Sequence, residues 1–296
     1  MPFIKPLICS LLCLASIIAF LCLSSKGGGG EASAEQTVLT VWQVDSFEGG
    51  KGSRADFLQK VGEDFGKTSG CFVNVVSLSS EAVRLNFAEN IFPDAISYGA
   101  GMFGIESYID GYKTWCYGGY CLLSIDTNSD FSDVTKDNTV INTGKDNLSG
   151  AAALLCGLNG AVYEKATGAY VKLINGNFKY LLGTQRDIYR LKTRGVSFAV
   201  KPLTQFNDLY QNISVIENSQ RAGTARKFID CLMNKMDEVT KLGLMSASSV
   251  YDDEMKQMQN IKYEYKLTSP VSEETYIKLK NIIADGDINM LKNLLK

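Results

Sequence analysis

The sequence has no histidine, only two tryptophans and five prolines in 296 residues, and almost no excess of either charge. Each shortage excludes something. Without His there is no Ser-His-Asp or Cys-His catalysis, no His-ligated zinc and no imidazole base titrating near neutral pH. The 30 Lys and Arg against 32 Asp and Glu leave a formal net charge of −2, which gives no basic footprint for nucleic acid. The few prolines leave no Pro-rich linker, connections are short, and no internal repeat is present. What remains is 45% hydrophobic and 21% charged, the composition of a globular chain. Its length suits one large domain or two lobes, each with its own core.

The N-terminus reads differently from the rest. Lys5 and the free amine are followed by an uncharged apolar run over residues 7–24, then by Gly27, Gly28, Gly29 and Gly30. This is the form of a secretory signal, with Ala32-Ser33-Ala34 as the small-residue cleavage site. The run is also about long enough to span a bilayer, so an uncleaved N-terminal anchor on a Gly tether is the alternative. Cys9, Cys13 and Cys22 follow Ile8, Leu12 and Leu21, whereas a lipoprotein signal wants a small residue before its cysteine. All three forms place the folded part outside the cytoplasm. Five further cysteines, Cys71, Cys116, Cys121, Cys156 and Cys231, are an odd number with no zinc spacing and no CxxC pair. They read as buried small hydrophobes.

Residues 37–101 read as β-α-β-α-β: strands over 37–44, 71–78 and from Pro93, with helices over 53–66 and 81–90. Ser53 and Asp56 have capping-box spacing, and Phe57, Val61 and Phe65 recur at intervals of four. Such alternation implies a parallel sheet whose ligands sit beyond the carboxyl ends of the strands. Residues 115–125 are an aromatic strand-like run broken by Gly118-Gly119, a sign of a sharp bend or close backbone approach. Further strands are expected over 178–182, 198–203 and 208–216. Helices are expected over 147–159, through Ala225, Phe228, Ile229 and Leu232, after Ser272, and at the C-terminus.

Few motifs carry chemistry. Asp126, Asn128, Asp130, Ser132 and Asp137 have calcium-loop spacing, but Phe131 stands where the turn needs Gly and Asp137 replaces the bidentate Glu, so a solvated turn is the better reading. No phosphate loop is present. Asn147-Leu148-Ser149 and Asn212-Ile213-Ser214 match glycosylation sequons. A two-carboxylate glycosidase needs no His, and Asp45, Glu48 and Asp187 are candidates for it. The aromatics say more. Trp42 and Tyr98 end strands where a crevice would open, and Trp115, Tyr117 and Tyr120 surround the Gly-Gly kink. Aromatic faces beside Asp, Gln and Arg forks suit sugar rings, although each ring could equally be core.

TVWQVDSFEGGKGSRADFLQKVGEDF with PDAISYG, then WCYGGYCLLSID, then YLLGTQRDIYRL, FAVKPLTQFNDLYQNISV and FIDCL follow one another in an order that resembles an extracellular solute-binding protein of an ABC importer, of the carbohydrate-binding group. The resemblance covers most of residues 37–296. It implies a two-lobed periplasmic-binding-protein-like α/β fold with strand hinges and a ligand cleft between lobes. The lobes would be 35–116 plus 204–296, and 117–203, after an export segment over 1–34. Carried over, the cleft is lined by Trp42, Asp45 and Tyr98 from one lobe, Trp115 and Tyr117 at the crossover, Gln185, Arg186 and Asp187 from the other lobe, and Tyr210 at the return crossing. Arg186 could instead pair with Asp187 or with another carboxylate. The resemblance further implies a monomer outside the cell or in the periplasm, with a small solute such as a sugar and ABC permease subunits as partners. It implies neither cofactor nor metal nor catalysis. The stretch 138–177 is short for that family. A carboxylate-dependent glycosidase, a binder of a non-sugar solute and a paralogue without ligand stand as alternatives.

Overall fold

In the strand Val38–Val44 (β1), Leu39 and Val41 point to one face and Trp42 and Val44 to the other, and all four are buried. A strand apolar on both faces belongs in the middle of a covered parallel sheet. The computed structural model, which describes residues 37–44, 53–142 and 148–296, places it there. Residues 1–36, which include the stretch read from sequence as an export segment, and Asp45, Glu48 and Asn147 lie outside the described residues. Helix Arg54–Ser69 (α1) starts where Ser53 Oγ accepts the Asp56 N–H at 3.1 Å and stops at Gly70, whose φ of 68° is one a side chain would resist. Strand Phe72–Leu78 (β2), helix Ser80–Ala88 (α2) and strand Ala95–Gly99 (β3) complete the first unit, with β2 and β3 parallel to β1 on either side.

Strand Ile109–Tyr117 (β4) ends at Gly118-Gly119, and the chain continues into Tyr120–Ser124 (β5) of another sheet. Strands Thr139–Asn142 (β6), Val162–Glu164 (β7) and Tyr180–Thr184 (β8) alternate with helices Ser149–Leu155 (α3), Ala166–Ile174 (α4) and Gln185–Thr193 (α5). Strands Ala199–Pro202 (β9), Phe206–Asn207 (β10) and Tyr210–Ile216 (β11) carry the chain back. Helix Ala222–Met233 (α6), a 3-10 helix over Met236–Leu242, helix Asp253–Gln259 (α7), strand Tyr265–Lys266 (β12) and helices Glu273–Asp285 (α8) and Ile288–Leu295 (α9) follow.

Among the described residues the sheets run β2-β1-β3-β11-β4 and β7-β6-β8-β5-β9, with β10 and β12 as a separate pair. In each five-stranded sheet the strand that arrives from the other sheet runs antiparallel to its neighbours: β11 beside β3 and β4, and β5 beside β8 and β9. Helices cover both faces of each sheet. α1 and α6 pack on one face of the first sheet, and Val83 and Phe87 of α2 on the other. α3, α8 and α9 pack on one face of the second sheet, and α4, α5 and α7 on the other. This α/β architecture is the fold class expected from the sequence.

The C-terminal residues pack differently from the lobe boundaries drawn on sequence, which grouped 204–296 with the first lobe. Phe228, Leu232 and Val239 do join the first sheet's core, but Met245, Met255 and Met258 pack with Leu123 and Ile188, and Leu279, Ile282 and Leu291 pack with Ile141 and Leu182 of the second. The stretch 138–177 supplies β6, α3, β7 and α4 to that sheet. The calcium-like spacing is an exposed turn in which Asp126 accepts the Asn128 N–H and Asp130 the Ser132 N–H. Phe131 adopts a φ of 59°, and its ring meets Tyr180 at 5.5 Å. No group of three potential metal-ligating side chains occurs among the described residues. No helix there is long and apolar enough to cross a membrane.

Candidate ligand site at the strand crossing

β1 and β3 run the same way as β4, so their carboxyl ends share the side from which the chain crosses, and β6 and β8 end on the side where β5 begins. At the crossing the backbone is tied on both sides. Gly118 N–H donates to Leu209 O at 2.7 Å, and Asn207 Nδ2 donates to Gly118 O at 2.8 Å. Gly119 N–H donates to Gln185 Oε1 at 3.0 Å, and Gln185 N–H donates back to Gly119 O at 3.1 Å. A Cβ on Gly118 would stand 2.4 Å from Gln185 Oε1, so this glycine is required by close approach.

The aromatics proposed from sequence separate into two groups. Trp42 packs on Phe87 at 5.9 Å in the core of the first sheet. Trp115, 1% exposed, stacks on Phe57 at 5.9 Å, and its Nε1 donates to Ser97 Oγ at 2.9 Å. The Tyr98 hydroxyl shares a 2.8 Å hydrogen bond with Ser214 Oγ, and burial pushes its pKa up to about 12. Tyr117 and Tyr210, in contrast, are half-buried and stack on each other at 6.0 Å beside the crossing, with Lys266 Nζ 5.0 Å from the Tyr210 ring. Burial raises both phenols to about 12, so they stay protonated and can donate and accept near neutral pH.

Gln185, Arg186 and Asp187 open α5, and each has partners within the chain. Gln185 holds Gly119. Arg186 Nη1 donates to Leu242 O at 2.8 Å, joining α5 to the 3-10 helix of the first sheet's core. Asp187 is 1% exposed and accepts from Thr184 N–H, Asn142 Nδ2 and Arg190 Nη1 at 3.0, 2.8 and 2.7 Å. With Thr184 it forms a capping box that starts α5. Sequence pattern missed its counterpart, Asp208. Asp208 accepts the Tyr120 hydroxyl at 2.8 Å and the Leu148 N–H at the start of α3 at 2.9 Å, and burial raises its carboxyl pKa. Both carboxylates satisfy the orphan N–H groups of strand-to-helix turns. The signal that could have found Asp208 is the Asn207-Asp208 pair, polar residues between two apolar strands.

A second polar group lies deeper on the first sheet. Gln43 stands opposite Ser97 in the β1–β3 register, Gln211 Nε2 donates to Ser97 Oγ at 3.0 Å, and Arg54 Nη1 donates to Gln211 Oε1 at 3.2 Å. Gln43, Ser97 and Gln211 are buried, and Gln43 Oε1 has no hydrogen-bond partner there. Structure therefore brings Tyr117, Tyr210 and Gln185 together at the crossing and places Trp42, Tyr98 and Trp115 in the core of the first sheet.

No family model matches the sequence, and no curated protein matches it. Solved structures do match. Iron-bound HitA from Pseudomonas aeruginosa aligns at 12% identity with a TM-score of 0.58, covering 85% of this chain and 99% of that one. A periplasmic thiamin binding protein aligns at 12% identity and 0.56, covering 91% and 100%. The spermidine/putrescine substrate-binding protein PotD from Streptococcus pneumoniae aligns at 10% identity and 0.58, covering 88% and 100%. Nearly the whole length of each of these proteins is matched, and the likeness is one of fold: the described chain has the fold of periplasmic substrate-binding proteins.

Proposed function

We propose that the chain is the extracytoplasmic substrate-binding component of an ABC importer, capturing a small solute between its two sheets and presenting it to a membrane permease. The observation that carries this reading is the crossing itself. Two glycines, a return strand and the passage from Val239 to Met245 join two separately cored sheets, with the strand carboxyl ends of both sheets at the junction, where α/β sheets hold ligands. A narrow, jointed connection between two cores is what closure over a ligand requires. The solved structures of like fold bind iron, thiamin or polyamines, so the fold itself leaves the solute open.

The half-buried Tyr117–Tyr210 stack supports an organic solute that offers a flat or C–H-rich face, a sugar among them. The sugar reading from sequence rests also on Trp42 and Trp115, which, unlike the half-buried tyrosines, are buried in the first sheet's core against Phe87 and Phe57. Of the carboxylates named for the glycosidase alternative, Asp187 is engaged in the capping box of α5, and Asp45 and Glu48 lie outside the described residues. The apolar run of residues 7–24 and the Gly tether support export. Calorimetry of the chain against sugars, polyamines, thiamin, ferric iron and oxyanions tests the reading. One class is expected to bind with micromolar affinity or tighter, and a chain that binds none of them contradicts it.

A further inference from the structure

Between α7 and α8, Tyr265 and Leu267 still pack in the second sheet's core, and beyond them the chain touches the first sheet before α8 returns to the second. The N–H groups of Glu264, Tyr265 and Leu267 donate to the carbonyls of Thr204, Gln205 and Asn207 at 2.8, 3.0 and 2.9 Å. Asn212 Nδ2 of β11 then donates to Thr268 O at 2.9 Å, and Val271 N–H to Ala100 O at 3.4 Å. Finally Tyr276, in the first turn of α8, meets Phe103 just beyond β3, with ring centroids 5.0 Å apart and planes at 40°. The Arg84 guanidinium of α2 lies 4.4 Å from the same Phe103 ring. Phe103 is 6% exposed, and one of the side chains against its ring comes from a helix that packs in the other sheet's core. One turn further on, Leu279 and Ile282 fix α8 into the second sheet's core.

We propose that residues 263–276 form a strap across the two sheets and that the Phe103–Tyr276 contact is its catch, setting how readily the sheets move apart. This rests on the capture reading above, because only a chain that opens needs its opening set. The geometry suits the task. α8 is anchored on one side by Leu279 and Ile282, so a relative movement of the sheets must part Tyr276 from Phe103 rather than lift the helix. A tilted aromatic pair with two cation contacts, Arg84 over Phe103 and Lys280 over Tyr276, is weak enough to be made and broken, and its loss should shift the opening equilibrium roughly two- to tenfold.

Small-angle X-ray scattering of the full chain without solute tests the catch. Tyr276→Ala should change the radius of gyration, Phe103→Leu should change it in the same direction while keeping an apolar side chain, and Tyr276→Phe, which keeps the ring, should leave the wild-type profile. Identical profiles for wild type, Tyr276→Ala and Phe103→Leu would overturn the strap, and so would a Tyr276→Phe profile that departs as far as Tyr276→Ala. If a solute contracts the wild type while both ring-removing variants scatter like wild type, the strap is wrong and capture stands. If no solute binds the wild type, capture is wrong, and the solute-free profiles of the variants still decide the strap.

Discussion

Gln185 accepts the Gly119 N–H at 3.0 Å while its own N–H returns to Gly119 O, so the first residue of α5 holds the chain where it passes between sheets. The same side-chain oxygen stands 2.4 Å from where a Gly118 Cβ would be. Gly118→Ala must therefore displace a side chain that is already bonded, and should cost about 1–3 kcal/mol. Gly119→Ala meets Met258 Cε and the Tyr263 hydroxyl at 2.7 and 2.8 Å, and the flexible methionine end can give way, so its cost should be smaller. Urea midpoints of the two variants rank them. In a double-mutant cycle Gly118→Ala with Gln185→Ala should fall short of additivity.

Trp115→Ala should act on folding before it acts on any ligand. The ring is stacked on Phe57 at an interplanar angle of 6°, and its Nε1 hydrogen-bonds Ser97. Truncation should cost about 3–5 kcal/mol in denaturant unfolding. Tyr210→Ala should instead leave the urea midpoint nearer to wild type and weaken solute binding roughly two- to tenfold, as loss of one aromatic face does.

Asp208 links stability to pH. Burial raises its carboxyl pKa, so the folded chain holds the proton more tightly than the unfolded chain. Stability should fall as pH rises from the ordinary carboxylate value of about 3.9 towards the raised folded value, and should be level above it. Asp208→Asn should flatten that segment of the melting-temperature profile. It also gives up one of two accepted hydrogen bonds, Tyr120 or Leu148, at about 1–3 kcal/mol.

Asp64 has the opposite sign. Hydrogen bonds from Lys235, then from Lys67, lower its pKa to about 2. The Asp64–Lys235 pair ties α1 to the connection after α6. Its contribution is present above the ordinary carboxylate range and is lost as pH falls towards about 2. Asp64→Asn should make the melting temperature less dependent on pH between about 4 and 2, a difference that salt should diminish because the pair is exposed.

Local pattern made much of this fold legible. Leu39, Val41 and Trp42 marked a covered strand, Ser53 marked the start of α1, and Gly118-Gly119 marked the bend. What stayed hidden depended on contacts distant in sequence. Sequence pattern marks no helix at α5, because Gln185, Arg186 and Asp187 are the polar residues of a helix start, whose partners, Gly119, Leu242 and Asn142, are far along the chain. Leu279 and Ile282 gave a helix face but not the sheet it covers. Periodicity marked Trp42 and Trp115 as strand residues without telling which neighbour would take each ring, whereas Tyr117 and Tyr210 meet because β4 and β11 pair in that register. The five described cysteines form no disulfide with one another, and burial raises the Cys121 thiol pKa well above its ordinary value, the chemistry of a packed rather than a reactive side chain.

Capture by closure turns on movement between two sheets joined at Gly118-Gly119. Small-angle X-ray scattering of the wild-type chain, with and without the solute that calorimetry selects, measures that movement. Capture by closure predicts a smaller radius of gyration at saturating solute than in its absence. An unchanged radius of gyration with the solute bound would contradict it.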